Sequence, residues 1–459
     1  MGSRSKALCR LSVQQRWLLV EPIHSAQHFH THISTRLAGD PARISSFGNL
    51  KAMHRGSSGA ADDILADDVC IVAALRSPIG GFQGSLASFT APQLGSVVLK
   101  EVLRRSGVQA TSVDEVYMGN VLSAGVGQAP SRQAVLGAGM PYTVPCTDVN
   151  KVCASGMKAV MLGSQSIQLG QNRIVLAGGM ESMSNVPYYL GKARTGYRLG
   201  NGELVDGIIK DGLWDPHCNV HMGNCAEKCA GHFEFSREQQ DDHAIRSWER
   251  AQAAGANGFW KSEIVPITVP GRSGRPDTVV TADDALSKMD PEKLRALRPI
   301  FVDGGTVTAG NASPISDGAA ALALASGATA KDLGLKVLAK VRGYADAAQA
   351  PEWFTTTPTL AIRKALIQAQ LDIAQVDYFE INEAFSVVDL ANQHLLSLAS
   401  ERVNAHGGAV ALGHPIGCSG ARILVTLIHV LQHHGGRIGV ASICNGGGGA
   451  SAVVIESCH

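Results

Sequence analysis

The chain has 459 residues, 45% of them hydrophobic and 17% charged, enough to bury a large core and to build more than one domain. A formal net charge of +1 leaves no dense basic field for nucleic acid or an acidic surface. No apolar run approaches the roughly 20 residues of a membrane span, since residues 423–431 are too short and include His429, and ten cysteines spread over this length read as reduced thiols rather than a disulfide framework.

The N-terminal stretch, residues 1–65, differs from the rest. Its first sixty residues set Arg4, Lys6, Arg10, Arg16, Arg36, Arg43, Lys51 and Arg55 against Glu21 and Asp40 alone, among many Ser and His. That composition predicts a transit peptide and a mitochondrial destination. The C-terminal Glu456-Ser457-Cys458-His459 is not a peroxisomal Ser-Lys-Leu signal.

Past the leader, short β-branched or apolar runs such as 68–75 and 173–177 alternate with longer helical patterns, the order of an α/β protein. The chain also repeats itself. Val98-Leu99-Lys100 and Val113-Asp114 recur at one interval as Ala361-Ile362-Arg363 and Val376-Asp377. With one residue of insertion, Ser155-Gly156-Met157-Lys158 matches Ser419-Gly420-Ala421-Arg422, and Arg173-Ile174 matches Arg437-Ile438. Two related halves are expected to pack about a pseudo-two-fold axis, which brings equivalent loops together. Residues 185–313 have no partner in the repeat and read as an inserted lobe, with a capped helix over 231–254 marked by Ser236, Glu238 and Gln239. In this lobe His217, Cys218, His221, Cys225, Cys229 and His232 lack the close C-x2-C spacing of structural zinc sites; no metal is expected.

Chemistry concentrates in three places. Small residues surround Cys153 in Asn150-Lys151-Val152-Cys153-Ala154-Ser155-Gly156, where a loop enters a helix; a helix N-terminus favours the thiolate, although a buried structural cysteine fits the same segment. His414, in Gly407-Gly408-Ala409-Val410-Ala411-Leu412-Gly413-His414-Pro415, falls near the repeat-equivalent position, and a Cys/His pair suits acyl transfer. Cys444 precedes four glycines, whose backbone N–H groups can be aimed at a carbonyl oxygen; the run lacks the lysine and Ser/Thr of a phosphate loop.

Asn-Glu-Ala-Phe at 382–385, Gly-His-Pro-Ile-Gly with Ser-Gly-Ala-Arg at 413–422, and Cys-Asn-Gly-Gly-Gly-Gly at 444–449 occur in that order in the thiolases, which the chain resembles from about residue 68 to its C-terminus. The resemblance implies the thiolase fold: an N-terminal half at 66–184 completed by about 314–337, a CoA-binding loop domain at 185–313, and a C-terminal half at 338–459. It implies reversible condensation of two acetyl-CoA to acetoacetyl-CoA and CoA through an acetyl group on Cys153. His414 would activate that cysteine, and Cys444 would move the proton at C2 of acetyl-CoA. Asn382, by holding a water, would form one oxyanion site with His414, and the N–H groups of Cys153 and Gly446 the other. Leu213, His221, Met222, Phe301, Ala309, Ala312 and Ser313 match the family's pantetheine contacts. Ala384 and Phe385 belong to the same wall, and Lys293, in the basic 293–298 stretch, is expected at the nucleotide phosphates.

Coenzyme A would enter as substrate and product with no resident cofactor, and a homo-oligomer, dimer or tetramer, would be the working form. His221 marks the short-chain members. Thr355 after Phe354 differs from the Phe-Pro of a branched-chain relative, and Trp248 from the tyrosine of a potassium-binding one. The alternatives are a broader 3-ketoacyl-CoA thiolase, a condensing enzyme of the same fold, which would not need Cys444, or a non-catalytic CoA or lipid carrier, which would need none of the three.

Overall fold

Runs of small and β-branched residues with no polar face have to be covered on both sides, and in this chain they form the middle of a ten-stranded sheet. The structure is a computed structural model that describes residues 64–271, 274–287 and 289–458; nearly all of the expected leader lies outside them. The strands of the sheet are β1 (Val69–Arg76), β2 (Glu115–Gly119), β3 (Cys146–Val149), β4 (Ile174–Ser182), β5 (Ser316–Ser326), β6 (Ala339–Ala348), β7 (Tyr378–Ile381), β8 (Ile438–Asn445) and β9 (Gly449–Ser457), with Gly80–Gly81 beside β5. All eight residues of β1 and all eight of β8 are buried.

The strand order is β7-β8-β9-β6-β1-β5-β4-β2-β3. Four strands deep it reads alike in both directions from the antiparallel β6/β1 junction, where Val341 faces Val69 and Ala339 faces Ile71, and β3 adds a further parallel pair on one side. Outward on one side the pairings are antiparallel, antiparallel and parallel; on the other side they follow the same sequence. Even the irregularities correspond, because the register shifts between Ile71 and Ala73 in β1 and between Val341 and Gly343 in β6. The repeat read in the sequence is therefore a repeat of topology.

The helices used below are α1 (Ala91–Ser106), α2 (Ser155–Gln168), α3 (Met222–His232), α4 (Arg237–Ala256), α5 (Thr357–Ala369), α6 (Ser386–Leu396) and α7 (Ile416–His434). Helices α2 and α7 occupy equivalent places in the two halves, and they pack on one another because glycine lines the crossing. A Cβ on Gly156 would lie 2.9 Å from the Ala421 nitrogen and the Gly417 oxygen; one on Gly420 would lie 2.5 Å from the Met157 nitrogen. Only hydrogen allows backbone to meet backbone that closely. Around the crossing, Val160, Ile423, Leu424, Leu427 and Ile428 are fully buried in one apolar cluster.

In the lobe, the helix expected over 231–254 is two helices. Residues 231–232 finish α3, Glu234 takes a left-handed turn at φ 57°, and α4 begins after Ser236. There Ser236 Oγ accepts from the Gln239 N–H and the Gln239 side chain accepts from the Ser236 N–H, a capping box that satisfies two otherwise free donors. A buried arginine ties lobe to sheet: Arg76, at the end of β1, donates to both oxygens of Asp283 at 2.7 and 3.0 Å and to Glu263, and its guanidinium lies 5.1 Å from the centre of the Trp260 ring. Among the described residues no helix is long and apolar enough to cross a membrane.

Candidate active site

Cys153, Asn382 and Cys444 all stand at or just beyond the C-terminal ends of strands with parallel neighbours, β3, β7 and β8. Between β3 and α2 the chain turns sharply, and Val152 has φ 49°, a conformation that costs a β-branched residue about 1–3 kcal/mol. Local hydrogen bonds hold the turn: Val152 N–H donates to Asn150 Oδ1 at 3.0 Å, Lys151 N–H to Ser155 Oγ at 2.8 Å, and that hydroxyl to the Val152 carbonyl at 2.6 Å. Lys151 Nζ bonds Asn445 Oδ1 and Ser451 Oγ, both at 3.0 Å, and so fastens the Cys153 turn to the β8–β9 hairpin.

The expected thiolate at Cys153 is not what this environment favours. Burial pushes the thiol up to about 11, against the Gly446 N–H and its own N–H, which lower it. Desolvation outweighs those dipoles. Cys153 therefore rests as a thiol and needs a base.

His414 is built as that base. Its Nδ1 lies 2.6 Å from Ser419 Oγ, and that hydroxyl donates to the Pro415 carbonyl at 2.9 Å. The hydroxyl proton being committed, Nδ1 carries the imidazole hydrogen and Nε2 keeps its lone pair. Burial and the nearby Arg422 cation depress the imidazole to about 3, so the ring is neutral. Asn382 Nδ2 sits 3.4 Å from Nε2, and Asn382 Oδ1 is buried with no hydrogen-bond partner among the described residues. Gly413 enters this turn at φ 113°, where a side chain would overlap Ser316.

Cys444, the penultimate residue of β8, is fully buried; burial and the neighbouring Cys153 push its thiol well above the usual range. Beyond it Gly447 and Gly448 both have φ 81°, which returns the chain into β9 and leaves Gly446 facing Cys153.

Cys153, His414 and Gly446 open onto one cavity of about 390 Å³. The lobe supplies its other wall through Leu213, His221, Met222, Phe301, Ala309, Ala312 and Ser313, and the Asn-Glu-Ala-Phe loop adds Ala384 and Phe385. His221 caps α3, its Nδ1 accepting from the Gly223 N–H at 3.1 Å, and its ring stacks on Phe301 at 4.8 Å. Phe301 in turn meets Phe385 edge-on at 6.1 Å. Asn382 and Cys444 are packed behind this surface rather than on it. Lys293 is placed elsewhere, on an adjoining cavity of about 540 Å³ that shares Ala309 with the first; its Nζ pairs with Asp290 at 2.9 Å.

Met183, Ile300, Pro314, Ile315, Phe354 and Ile416 also line the main cavity; Ile416 belongs to the Gly-His-Pro-Ile-Gly motif and Phe354 precedes Thr355, but nothing in the sequence context of Met183, Ile300, Pro314 and Ile315 marks them, since an apolar residue on a cavity wall looks like any core residue. Ser419 is different: it lies in the Ser-Gly-Ala-Arg motif, but its bond to His414 appears only in three dimensions. The six His and Cys residues of the lobe do not converge. Cys225 and Cys229 face the apolar core, while Cys218 Sγ lies 3.8 Å from Glu352.

Two family models match this chain, "Thiolase, N-terminal domain" over residues 69–328 and "Thiolase, C-terminal domain" over residues 335–457. The chain belongs to the thiolase family. Acetyl-CoA acetyltransferase 1 of Arabidopsis thaliana is 62% identical over 396 residues, which are 86% of this chain and 95% of the relative. The cytosolic acetyl-CoA acetyltransferase ERG10 of Gibberella zeae is 54% identical over 389 residues, 85% of this chain and 98% of the relative. The crystal structure of the Acat5 thiolase from Ascaris suum in complex with coenzyme A superposes with a TM-score of 0.80 at 46% identity, covering 85% of this chain and all of the other. This thiolase thus has the family's mixed α/β fold, and it is an acyltransferase.

Proposed function

We propose that the chain is an acetyl-CoA C-acetyltransferase, which joins two acetyl-CoA into acetoacetyl-CoA and CoA and runs the reverse cleavage. The observation that carries this reading is the meeting of Cys153, His414 and Gly446 on one cavity with Cys444 packed behind it, in a chain 62% identical to a relative of that name. His414 Nε2 takes the Cys153 proton and the thiolate attacks the acetyl carbonyl, whose developing charge falls to the N–H groups of Cys153 and Gly446. The CoA thiolate departs with the proton of Cys444. That leaves Cys444 as a thiolate in a buried site, a strong base for the C2 proton of the second acetyl-CoA. The resulting enolate oxygen is met by Asn382 and by protonated His414. Its carbon attacks the acetyl group, the new carbon–carbon bond forms as the Cys153–acyl bond breaks, and His414 returns its proton to Cys153. Coenzyme A is substrate and product throughout, and the scheme calls for no resident cofactor.

The aromatic wall of His221, Phe301 and Phe385 supports a short acyl group. Purified protein is expected to cleave acetoacetyl-CoA with a kcat/KM far above that for a palmitoyl-length 3-ketoacyl-CoA; comparable values would make it a broader 3-ketoacyl-CoA thiolase instead. The basic leader supports import into mitochondria, whereas the Gibberella zeae relative carries "cytosolic" in its name. A fluorescent fusion of residues 1–65 decides between them, and a diffuse signal would refute import. The open edge at β3, with Thr147 and Asp148 exposed, supports pairing with a second copy of the chain, to be checked by light scattering.

A further inference from the structure

The Asn-Glu-Ala-Phe loop holds a residue that the scheme above does not use. Glu383 follows Asn382 directly and is 1% exposed, yet four groups from three segments converge on its carboxylate. Its Oε2 accepts from the Val410 N–H at 3.0 Å and from Ser247 Oγ at 2.8 Å, and Ser247 Oγ in turn accepts from the Gly408 N–H at 2.9 Å. Its Oε1 accepts from Asn404 Nδ2 at 3.1 Å and lies 3.2 Å from His243 Nε2. A Cβ on Gly408 would overlap this carboxylate, so the turn is shaped around it. Asn404 also closes two backbone bonds with Ile381, both at 2.9 Å, at the end of the strand that carries Asn382.

We propose that Glu383 is a positioning residue: it ties the Asn382 loop to the Gly408–Val410 turn and to lobe helix α4, and thereby holds Asn382 in place beside His414, whose own ring is fixed by Ser419, at the oxyanion site for the second acetyl-CoA. This rests on the acetyltransferase reading. The reason is geometric. Asn382 and His414 come from different loops, and a bound enolate oxygen feels a misplacement of about 1 Å as a loss of up to about 100-fold. The other oxyanion site, made of the Cys153 and Gly446 N–H groups, stands on the β3 and β8 loops and shares no bond with Glu383. The cluster His243, Glu383 and Asp389 has atoms within 4.8 Å of one another, but Asn404 Nδ2 already donates to the oxygens of Glu383 and Asp389 that face His243, which satisfies them without an ion. Burial opposes charge on His243, but its bond to Glu383 and the charges of Glu383 and Asp389 outweigh this and raise its pKa.

The test separates the two half-reactions in Glu383→Gln. A glutamine cannot accept on both sides, so it loses either the Val410 bond, with Ser247 turned from donor to acceptor, or the Asn404 bond. Acetoacetyl-CoA turnover should fall about 100-fold with KM for CoA within a factor of about three, while the rate and extent of acetyl transfer from acetyl-CoA onto Cys153 fall less than about 10-fold. Ser247→Ala, which keeps the carboxylate and removes one donor to it, should show the same split with a turnover loss of about 3- to 10-fold, and it stands in if the first variant does not fold. Acetylation and turnover falling in parallel would overturn the proposal, as would turnover unchanged in both variants or a stoichiometric metal ion in the purified protein. The native enzyme assayed alongside tests the acetyltransferase reading separately: absence of its turnover defeats that reading, whatever the variants do.

Discussion

Two cysteines, one half-buried on the cavity and one fully buried, are both held as thiols and do different work because their surroundings differ. Cys153 faces the cavity and two N–H donors, whereas Cys444 lies behind it with the Cys153 sulfur as its neighbour. Replacing Cys153 by Ala is expected to abolish every step, since no atom is left to carry the acyl group. Replacing Cys444 by Ser is expected to leave acetyl transfer onto Cys153 measurable, since a CoA thiolate can depart and take its proton from solvent, but to slow carbon–carbon bond formation and cleavage by about 10²–10⁴-fold, because a hydroxyl is a poor base near neutral pH. Mass spectrometry of the labelled peptide checks this; acetyl found on Cys444 alone, or near-normal turnover by the serine variant, would reverse the two roles. The motif residues Cys153, His414 and Cys444 were legible in the sequence, each in a small-residue context with a chemical reason. The protonation state of Cys153 was not, because a helix N-terminus can be read from a sequence whereas the desolvation that overrides it depends on how the lobe closes over the loop.

At the level of elements, catalysis depends on how closely α2 and α7 approach. Each begins just after a catalytic loop, so the distance between the helices fixes the distance between Cys153 and His414. Gly420→Ala is therefore expected to do two things. It should cost about 1–3 kcal/mol of stability, since its methyl group would meet the Met157 backbone rather than a yielding side-chain end. It should also lower kcat at temperatures where the protein remains folded. Denaturant unfolding and steady-state kinetics on the same preparation check both, and a variant with native stability and native kcat would show that the crossing has slack. The repeated pattern identified these helices and their equivalence. Their packing distance lies in the meeting of Gly156 with Gly417 and Ala421 and of Gly420 with Met157, residues distant in the chain whose closeness no local pattern expresses.

For the whole molecule, the joint between lobe and sheet carries a pH dependence. His406 stacks on Phe259 of the lobe at 4.8 Å and shares a 3.0 Å contact with His434 at the end of α7. Burial, with the charges of His434, His433 and His429 adding, lowers it to about 3. A histidine whose folded-state value lies below its unfolded value binds fewer protons when folded, so its stabilisation is fully present above about pH 6.5 and is lost as pH falls toward 3. By about pH 5 the loss from this residue is about 2 kcal/mol. His406→Gln should consequently lose less stability than the native protein between neutral pH and about pH 5, as measured by denaturant midpoints; equal losses would show that His406 does not titrate in this way. Two related halves, an inserted lobe, the alternation of strand and helix and the candidate reactive residues were legible in the sequence, because these are written in local periodicity, repeats and short motifs. Which loops meet, that Asn382 and Cys444 stand behind the cavity surface while Lys293 lines the adjoining one, that Ser419 fixes the His414 tautomer, and that Glu383 bonds to three segments all came from the tertiary structure. Those are contacts between residues far apart in the chain, and their energies come from burial and distance, which no window of sequence contains.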